Sequence, residues 1–240
     1  MLSSYCVTYI GESLVNDLQP SNSVQVVQNL LDETFEAVNL VYRNSTPNFY
    51  EIENINVELK HLESNITLSC KSLLNLKNIF QLADELKKYF SKDYLDISEY
   101  PILSSLFNTL YSNKDIVDKI TASILDENTI DDKASSNLQT IRRNQKKLEQ
   151  DIRDQLNKMI HSSSYSKYIQ EAIITIRNDR FVIPVKEEYR SQIKGFIHDI
   201  SNAGSTVFIE PIAVFEMNNK LSRLKVEEEI EIEKILATLT

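Results

Sequence analysis

Two stretches of the chain carry a narrow apolar seam with the alternating spacing of three and four residues that long paired helices use. The first stretch covers residues 137–160, and the second runs from residue 212 to Thr240. Because a narrow seam needs one partner helix rather than an enclosing core, we predict that the two stretches pair antiparallel. The seam positions are Leu138, Ile141, Gln145, Leu148, Ile152, Gln155 and Met159 in the first stretch, and Val214, Met217, Leu221, Leu224, Glu228, Ile232, Ile235 and Leu239 in the second.

The segment between the two seams changes to the period-two alternation of β-strands. The run "AIITIRNDRFVIPV" predicts strand, turn and strand, with Asn178 and Asp179 as a two-residue hairpin loop. The runs "KGFIHDIS" and "STVFIEP" predict a second hairpin around Asn202-Ala203-Gly204. Pro184 cannot donate a ladder hydrogen bond, so we expect it on an edge strand or at a bulge. Together these runs predict a small antiparallel β module at one end of the helical pair.

The residues before the first seam predict a succession of helices. Helical spacing of apolar residues marks residues 5–18, 21–43 and 71–90, followed by the shorter runs "YPILSSLFNTLY" and "KDIVDKITASIL". The chain has three glycines among 240 residues, far below the usual ~7%, which fits long helices with few tight turns. The predicted fold class is therefore mainly α. On the second of these helices, an apolar stripe comprises Val24, Val27, Leu31, Val38 and Val41.

Charge is unevenly distributed along this acidic chain. The net charge is −9, yet residues 137–160 hold six basic side chains against three acidic ones. An acidic chain does not indicate a general nucleic-acid binder, whereas a local basic face can contact phosphates. Ordinary solvated side chains remain the alternative for every candidate on such a face. The candidates are Arg142, Arg143, Lys146 and Lys147 on the first long helix, and Arg177, Arg180, Lys186, Arg190, Lys194 and His198 on or near the β module.

No motif in the sequence indicates catalysis, a metal site or a cofactor site. Neighbours on a strand point to opposite faces, so His198 and Asp199 are not expected to form a dyad, and the nucleophile-elbow pattern GxSxG is absent. Three histidines lie far apart, two cysteines lack CxxC spacing, and neither GxxxxGK[ST] nor GxGxxG occurs. We therefore expect His198 to be a structural or contact residue. Without a signal peptide or an apolar run long enough to span a membrane, a cytoplasmic protein is expected.

The stretch "IITIRNDRFVIPVKEEYRSQIKGFIHDISNAGSTVFIEPIAVFEMNNKLSRLKVEEEIEIEKIL" closely resembles the bacterial MutS paralogue family of the second type, whose members carry a C-terminal Smr domain. The resemblance rests on the elements "VIPVK", "EYR", "HD", "IEP" and "NN" in this order. It extends more loosely upstream through "LQPSNSVQVVQNLLDETFEAVNLV" and "DDKASSNLQTIRRNQKKLE". One departure is the stretch "ESNITLSC", which stands where the family commonly has a glycine pair.

The resemblance implies an organisation into four segments: a helical core at 1–136, a first lever helix with its connection at 137–170, an antiparallel clamp-like tip at 171–211, and a returning lever helix at 212–240. It implies that ATP and Mg²⁺ belong to an ATPase domain and nuclease activity to an Smr region. We expect both to lie outside this chain, so that the residues present hold no catalytic site. The second seam is still in phase at Thr240, which we interpret as the mark of a fragment.

For function, the resemblance implies a homodimeric clamp that encloses either branched or double-stranded DNA, suppressing recombination, or collided ribosomes, supporting their rescue. The first hypothesis is therefore a clamp arm that contacts nucleic acid. The alternative is a structural module that self-associates and positions the ATPase without touching nucleic acid. A hydrolase that uses His198 is the third hypothesis.

Overall fold

The computed structural model describes residues 2–91 and 95–240. The chain divides into two compact units. The first unit holds the residues up to Asp131 together with Leu236–Thr240, and the second holds Asp132–Ile235. Most of the described residues are helical, so the predicted mainly α class is confirmed.

Helices build most of the first unit, and side-chain caps set where several of them begin. Thr8, Ser23, Ser69 and Asn113 each accept a hydrogen bond from a backbone N–H in the first turn, which satisfies a donor that lacks a partner within the helix. The short helix α3 was not predicted. The elements are α1 (Tyr9–Asn16), α2 (Val24–Asn44), α3 (Asn56–Glu63), α4 (Cys70–Phe90), α5 (Pro101–Thr109), α6 (Lys114–Ser123), β1 (Ile124–Asp126) and β2 (Thr129–Ile130).

The predicted helix "KDIVDKITASIL" is two residues too long. Helix α6 ends at Ser123, and Ile124 begins β1, where it pairs with Ile130 of β2. The Asp126 carboxylate accepts a hydrogen bond from the Asn128 N–H (2.8 Å), which is the arrangement of an Asx turn. This turn therefore ends helix α6 at Ser123, although the apolar spacing continues beyond it.

The buried residues of the first unit leave the predicted stripe on α2 uncovered. Val24 is 83% exposed, Leu31 58% and Phe35 68%, whereas Leu40 is buried. Helix α2 thus turns a long apolar face away from the described core. That core includes a buried cluster of Leu40, Tyr89, Phe90, Leu95 and Tyr100.

In the second unit, α7 (Ser136–Ile160) and α8 (Ile212–Leu239) run antiparallel up to Ile235, as predicted. Asn137 donates to the Glu231 carboxylate at one end. Further along, the Gln145 amide donates to the Leu224 carbonyl. Residue numbers therefore rise along one helix as they fall along the other.

The predicted seam on α7 is wrong in its last third. Gln155 is exposed and Met159 half-buried, whereas Leu156 and Ile160 are fully buried. A straight helix turns every 3.6 residues, so its buried face drifts away from strict heptad positions. Beyond Ile152 the buried residues follow at intervals of four, and they join a cluster with the sheet.

The β module is a four-stranded antiparallel sheet with the strand order β3-β4-β6-β5. Both predicted hairpins are confirmed. Asn178 and Asp179 have φ angles of 50° and 58°, the left-handed conformations that a two-residue hairpin turn requires. Gly204 has a φ of 70° in the loop of the second hairpin. The strands are β3 (Thr175–Arg177), β4 (Arg180–Lys186), β5 (Gly195–Ile200) and β6 (Thr206–Pro211).

Pro184 lies in an interior strand, which corrects the prediction of an edge or a bulge. It pairs with Phe208 of β6, and β3 flanks the other side of β4 only as far as Val182. The Pro184 carbonyl accepts from the Gln170 N–H (2.9 Å) on the side beyond β3. Since the nitrogen and carbonyl of one residue face the same side of an antiparallel strand, the missing N–H costs no bond with β6.

One buried cluster joins one face of the sheet to both long helices. Side chains alternate along a strand, so Phe181, Ile183 and Val185 of β4 face this cluster while Arg180 faces away from it. On β6, Val207 and Ile209 face the cluster, and Phe208 and Glu210 lie on the opposite face. The helices contribute Ile152, Leu156, Ile160, Val214 and Leu221.

Candidate nucleic-acid interface

Glu210 is a fully buried carboxylate on the sheet face opposite the apolar cluster. Its Oε2 lies 2.6 Å from Nε2 of His198 on β5. Its Oε1 accepts from the Arg180 guanidinium (3.2 Å) on β4 and from the Asn218 amide (2.7 Å) on α8. A buried carboxylate without partners destabilises a fold strongly, so this set of contacts ties three elements to β6.

His198 lies at a β-bulge, and the bulge overturns a prediction. Ile197 pairs with Ile209 and Asp199 with Phe208, so His198 is the extra residue. The His198 ring contacts Glu210, and the Asp199 carboxylate contacts an arginine that is stacked on Phe208. Because Phe208 and Glu210 share one face of β6, the side chains of His198 and Asp199 lie on the same face of the sheet. The prediction that they point to opposite faces is wrong. His198 makes a structural contact at this position.

The two arginines that flank the first hairpin turn have partners inside the sheet. Arg177 forms an ion pair with Asp199 (3.0 Å), and its guanidinium lies 4.1 Å from the ring centre of Phe208. Arg180 pairs with Glu210 and keeps 22% of its side chain exposed. These internal partners compete with any phosphate for both guanidinium groups.

Asn218 supplies hydrogen bonds that β6 cannot. Ile183 of β4 pairs with Ile209 of β6. Two residues further along each strand, the same register would set Phe181 opposite Pro211, which has no N–H and precedes α8. The Asn218 side chain takes that place, since its amide donates to the Phe181 carbonyl and its oxygen accepts from the Phe181 N–H, both at 3.2 Å. The apolar spacing on α8 did not predict a role for Asn218, because a polar residue breaks an apolar pattern.

The four basic candidates on α7 divide into two groups. Arg142 is 18% exposed and donates to Asp132 and Glu228, each at 2.6 Å. The hydrogen bond from Arg142 holds the pKa of the Asp132 carboxyl below its ordinary value. Lys146 lies 3.8 Å from the same carboxylate. Arg142 therefore braces α7, whereas Arg143 and Lys147 are exposed and form no ion pair within the described residues.

Among the basic candidates around the β module, only some side chains are exposed and free of an internal partner within the described residues. Lys186 donates to the Lys167 carbonyl (3.3 Å), and Arg190 pairs with Glu187 (2.9 Å). Lys194 is exposed, and no described carboxylate lies within ion-pair distance of it. Sequence reasoning missed Lys158, which is also exposed and unpaired by the same criterion, although it lies in the basic segment 137–160.

Residues 2–91 and 95–240 contain neither a metal-binding cluster nor a membrane-spanning helix. Nowhere in these ranges do three histidine, cysteine, aspartate or glutamate side chains gather as they would around a metal ion. None of the helices in these ranges combines the length and apolar character of a membrane span.

The sequence is similar over its full length to several curated proteins named Endonuclease MutS2. Identity is 44% over 239 residues with the protein of Acetivibrio thermocellus, 40% over 239 residues with that of Ruminiclostridium cellulolyticum, and 39% over 240 residues with that of Clostridioides difficile. The chain is MutS2-like. The match takes in 100% of the chain but about 30% of the length of each relative. No family model matches the chain.

One part of the stretch that carried the resemblance, "HDISNAGSTVFIEP", is mainly structural in this fold. His198 and Glu210 form the buried contact, and Gly204 makes the turn between their strands. Pro211 ends β6, and α8 begins at the next residue, Ile212. This part contains no lysine or arginine, so the basic candidates other than His198 lie outside it.

Proposed function

We propose that this MutS2-like chain is the non-catalytic core, lever and clamp part of a longer cytoplasmic protein, and that its second unit contacts nucleic acid. The nucleic acid is either branched DNA or the RNA of collided ribosomes. In this proposal ATP, Mg²⁺ and nuclease chemistry belong to residues outside the chain, and the longer protein acts as a homodimer.

The observation that carries the proposal is a set of exposed cations on the second unit without carboxylate partners among the described residues, namely Arg143, Lys147, Lys158 and Lys194. Unpaired exposed cations can neutralise phosphates without first breaking an internal ion pair. The relatives are named endonucleases, and endonucleases act on nucleic acid. Arg142, Arg177 and Arg180 are better explained as structural residues, because each already holds an internal carboxylate.

We expect the purified chain to bind a labelled four-way DNA junction weakly, with an association constant that falls linearly with salt on logarithmic axes. Each neutralised phosphate contributes a slope of about −0.9 on duplex DNA. Fluorescence anisotropy from low to physiological salt measures this slope, with an unbranched duplex and a ribosomal RNA helix as parallel ligands. If no ligand binds even at low salt, the chain is not a nucleic-acid contact.

The alternative function, self-association without nucleic-acid contact, has one observation in its favour, the uncovered apolar face of α2. If a second copy covers this face, sedimentation velocity across a concentration series detects a dimer. The double change Leu31→Glu and Phe35→Glu should then return the chain to a monomer, because two charges would be buried without partners. The matched changes Gln25→Glu and Asn29→Glu lie off that face at exposed positions of the same helix and should leave the dimer intact. A strict monomer at every concentration contradicts the alternative.

A further inference from the structure

A groove of about 600 Å³ opens in the second unit between the end of α7, the segment that enters β5 and the first turn of α8. This volume lies within the usual range for sites that hold small molecules, roughly 300–1,000 Å³. One wall includes Lys158 and Ser162 at the end of α7, and another includes Gln192 and Lys194. The Lys194 carbonyl accepts from the Ile212 N–H (3.0 Å), which fixes this segment to the start of α8.

The charge in the groove is positive and uncompensated. Lys158 and Lys194 both line it, and no acidic residue does. Neither lysine has a carboxylate within ion-pair distance among the described residues. This contrasts with Arg177 and Arg180, whose charges are already matched within the sheet.

Three further polar side chains line the groove, and none of them forms a side-chain hydrogen bond within the described residues. Gln155 and Gln192 bring amide groups and Tyr165 a hydroxyl. Gln155 was predicted to lie in the seam between the helices, and its place on the groove accounts for its exposure. Amides and hydroxyls are common donors to phosphate oxygens in nucleic-acid complexes. Met159 and Pro211 add an apolar surface beside them.

We propose that this groove binds a backbone phosphate of nucleic acid, with Lys158 and Lys194 neutralising it and its neighbour. The inference deepens the proposed function, on which it rests, because it assigns the contact to the junction of the long helices with the sheet. The hairpin arginines named from the sequence are assigned no contact.

The double variant Lys158→Gln with Lys194→Gln tests the assignment by anisotropy with a labelled DNA duplex. Losing two phosphate contacts should make the slope of binding against salt shallower by about 1.8 and weaken binding about tenfold or more at 0.1 M salt. Both lysines are exposed, so the thermal midpoint by circular dichroism should stay unchanged. The matched variant Lys220→Gln with Arg223→Gln removes the same charge from exposed positions of α8 outside the groove, and it should keep the wild-type slope.

The outcomes separate the two proposals. If the wild-type chain binds DNA and both double variants weaken it equally, net charge explains binding and the groove assignment is wrong. If the wild-type chain binds neither the DNA duplex nor a ribosomal RNA helix, the proposed function fails. An NMR titration with inorganic phosphate at constant ionic strength then identifies the groove as a site for free anions, or as no site when the spectrum stays unchanged. Either result overturns the assignment to nucleic acid.

Discussion

Replacing Gly195 with alanine is expected to lower the free energy of unfolding by about 3 kcal/mol, at the upper end of the usual overpacking cost. A Cβ at this position would lie 2.2 Å from the Glu210 carbonyl oxygen and 2.8 Å from Cγ2 of Ile209. The first of these atoms belongs to the backbone of the paired strand and cannot rotate away. To relieve the clash, β5 has to separate from β6, which also loosens the contact between His198 and Glu210.

The matched change Gly204→Ala isolates the effect of backbone conformation from that of the clash. Gly204 has a φ of 70° and no atom within 4 Å of a built Cβ, so alanine there should cost about 1 kcal/mol from the left-handed conformation alone. Urea denaturation followed by circular dichroism measures both variants. Equal losses at the two glycines would mean that the close approach of β5 to β6 does not limit residue 195.

Replacing Glu210 with alanine should destabilise the second unit by about 3–4 kcal/mol, in the range found when one partner of a buried ion pair is removed. Arg180 and His198 would lose the carboxylate that they share, and the Asn218 amide would lose one of its acceptors. The cavity left by the side chain adds to the loss.

The conservative change Glu210→Gln should cost less than Glu210→Ala, because it keeps the shape and one acceptor oxygen for Arg180 and Asn218. The exposed Glu216 of α8 provides a matched control, and Glu216→Ala should change stability by no more than about 0.5 kcal/mol. Urea denaturation gives the values. An alanine variant at Glu210 as stable as the one at Glu216 would contradict a structural role for the buried carboxylate.

The features that the sequence predicted correctly depend on neighbours in the chain. Asn178-Asp179 and Asn202-Ala203-Gly204 mark their turns locally, and those turns set both hairpins. The pairing of α7 with α8 follows from apolar spacing that is readable on each helix alone. The two turns and the two seams were therefore enough to predict most of the fold of the second unit.

The features that the sequence missed depend on partners distant in the chain. Arg177 meets Asp199 and Arg180 meets Glu210 across 22 and 30 residues, so their charges looked free. The bulge at His198 appears only once the register of β5 against β6 is known. For the candidate interface, composition located the basic segment, but geometry was needed to separate the braced Arg142 from the exposed Lys158.

The bonds between Asn218 and Phe181 fix the rotational phase of α8. One residue along an α-helix corresponds to a rotation of about 100°, so turning α8 by that amount would carry the Asn218 amide away from the backbone of β4 and from Glu210 together. The helix cannot spin on its axis while the sheet stays still. A torque applied along α8 would reach the strands through this amide together with the buried contacts of Val214 and Leu221, and the sheet would turn with the helix as one body.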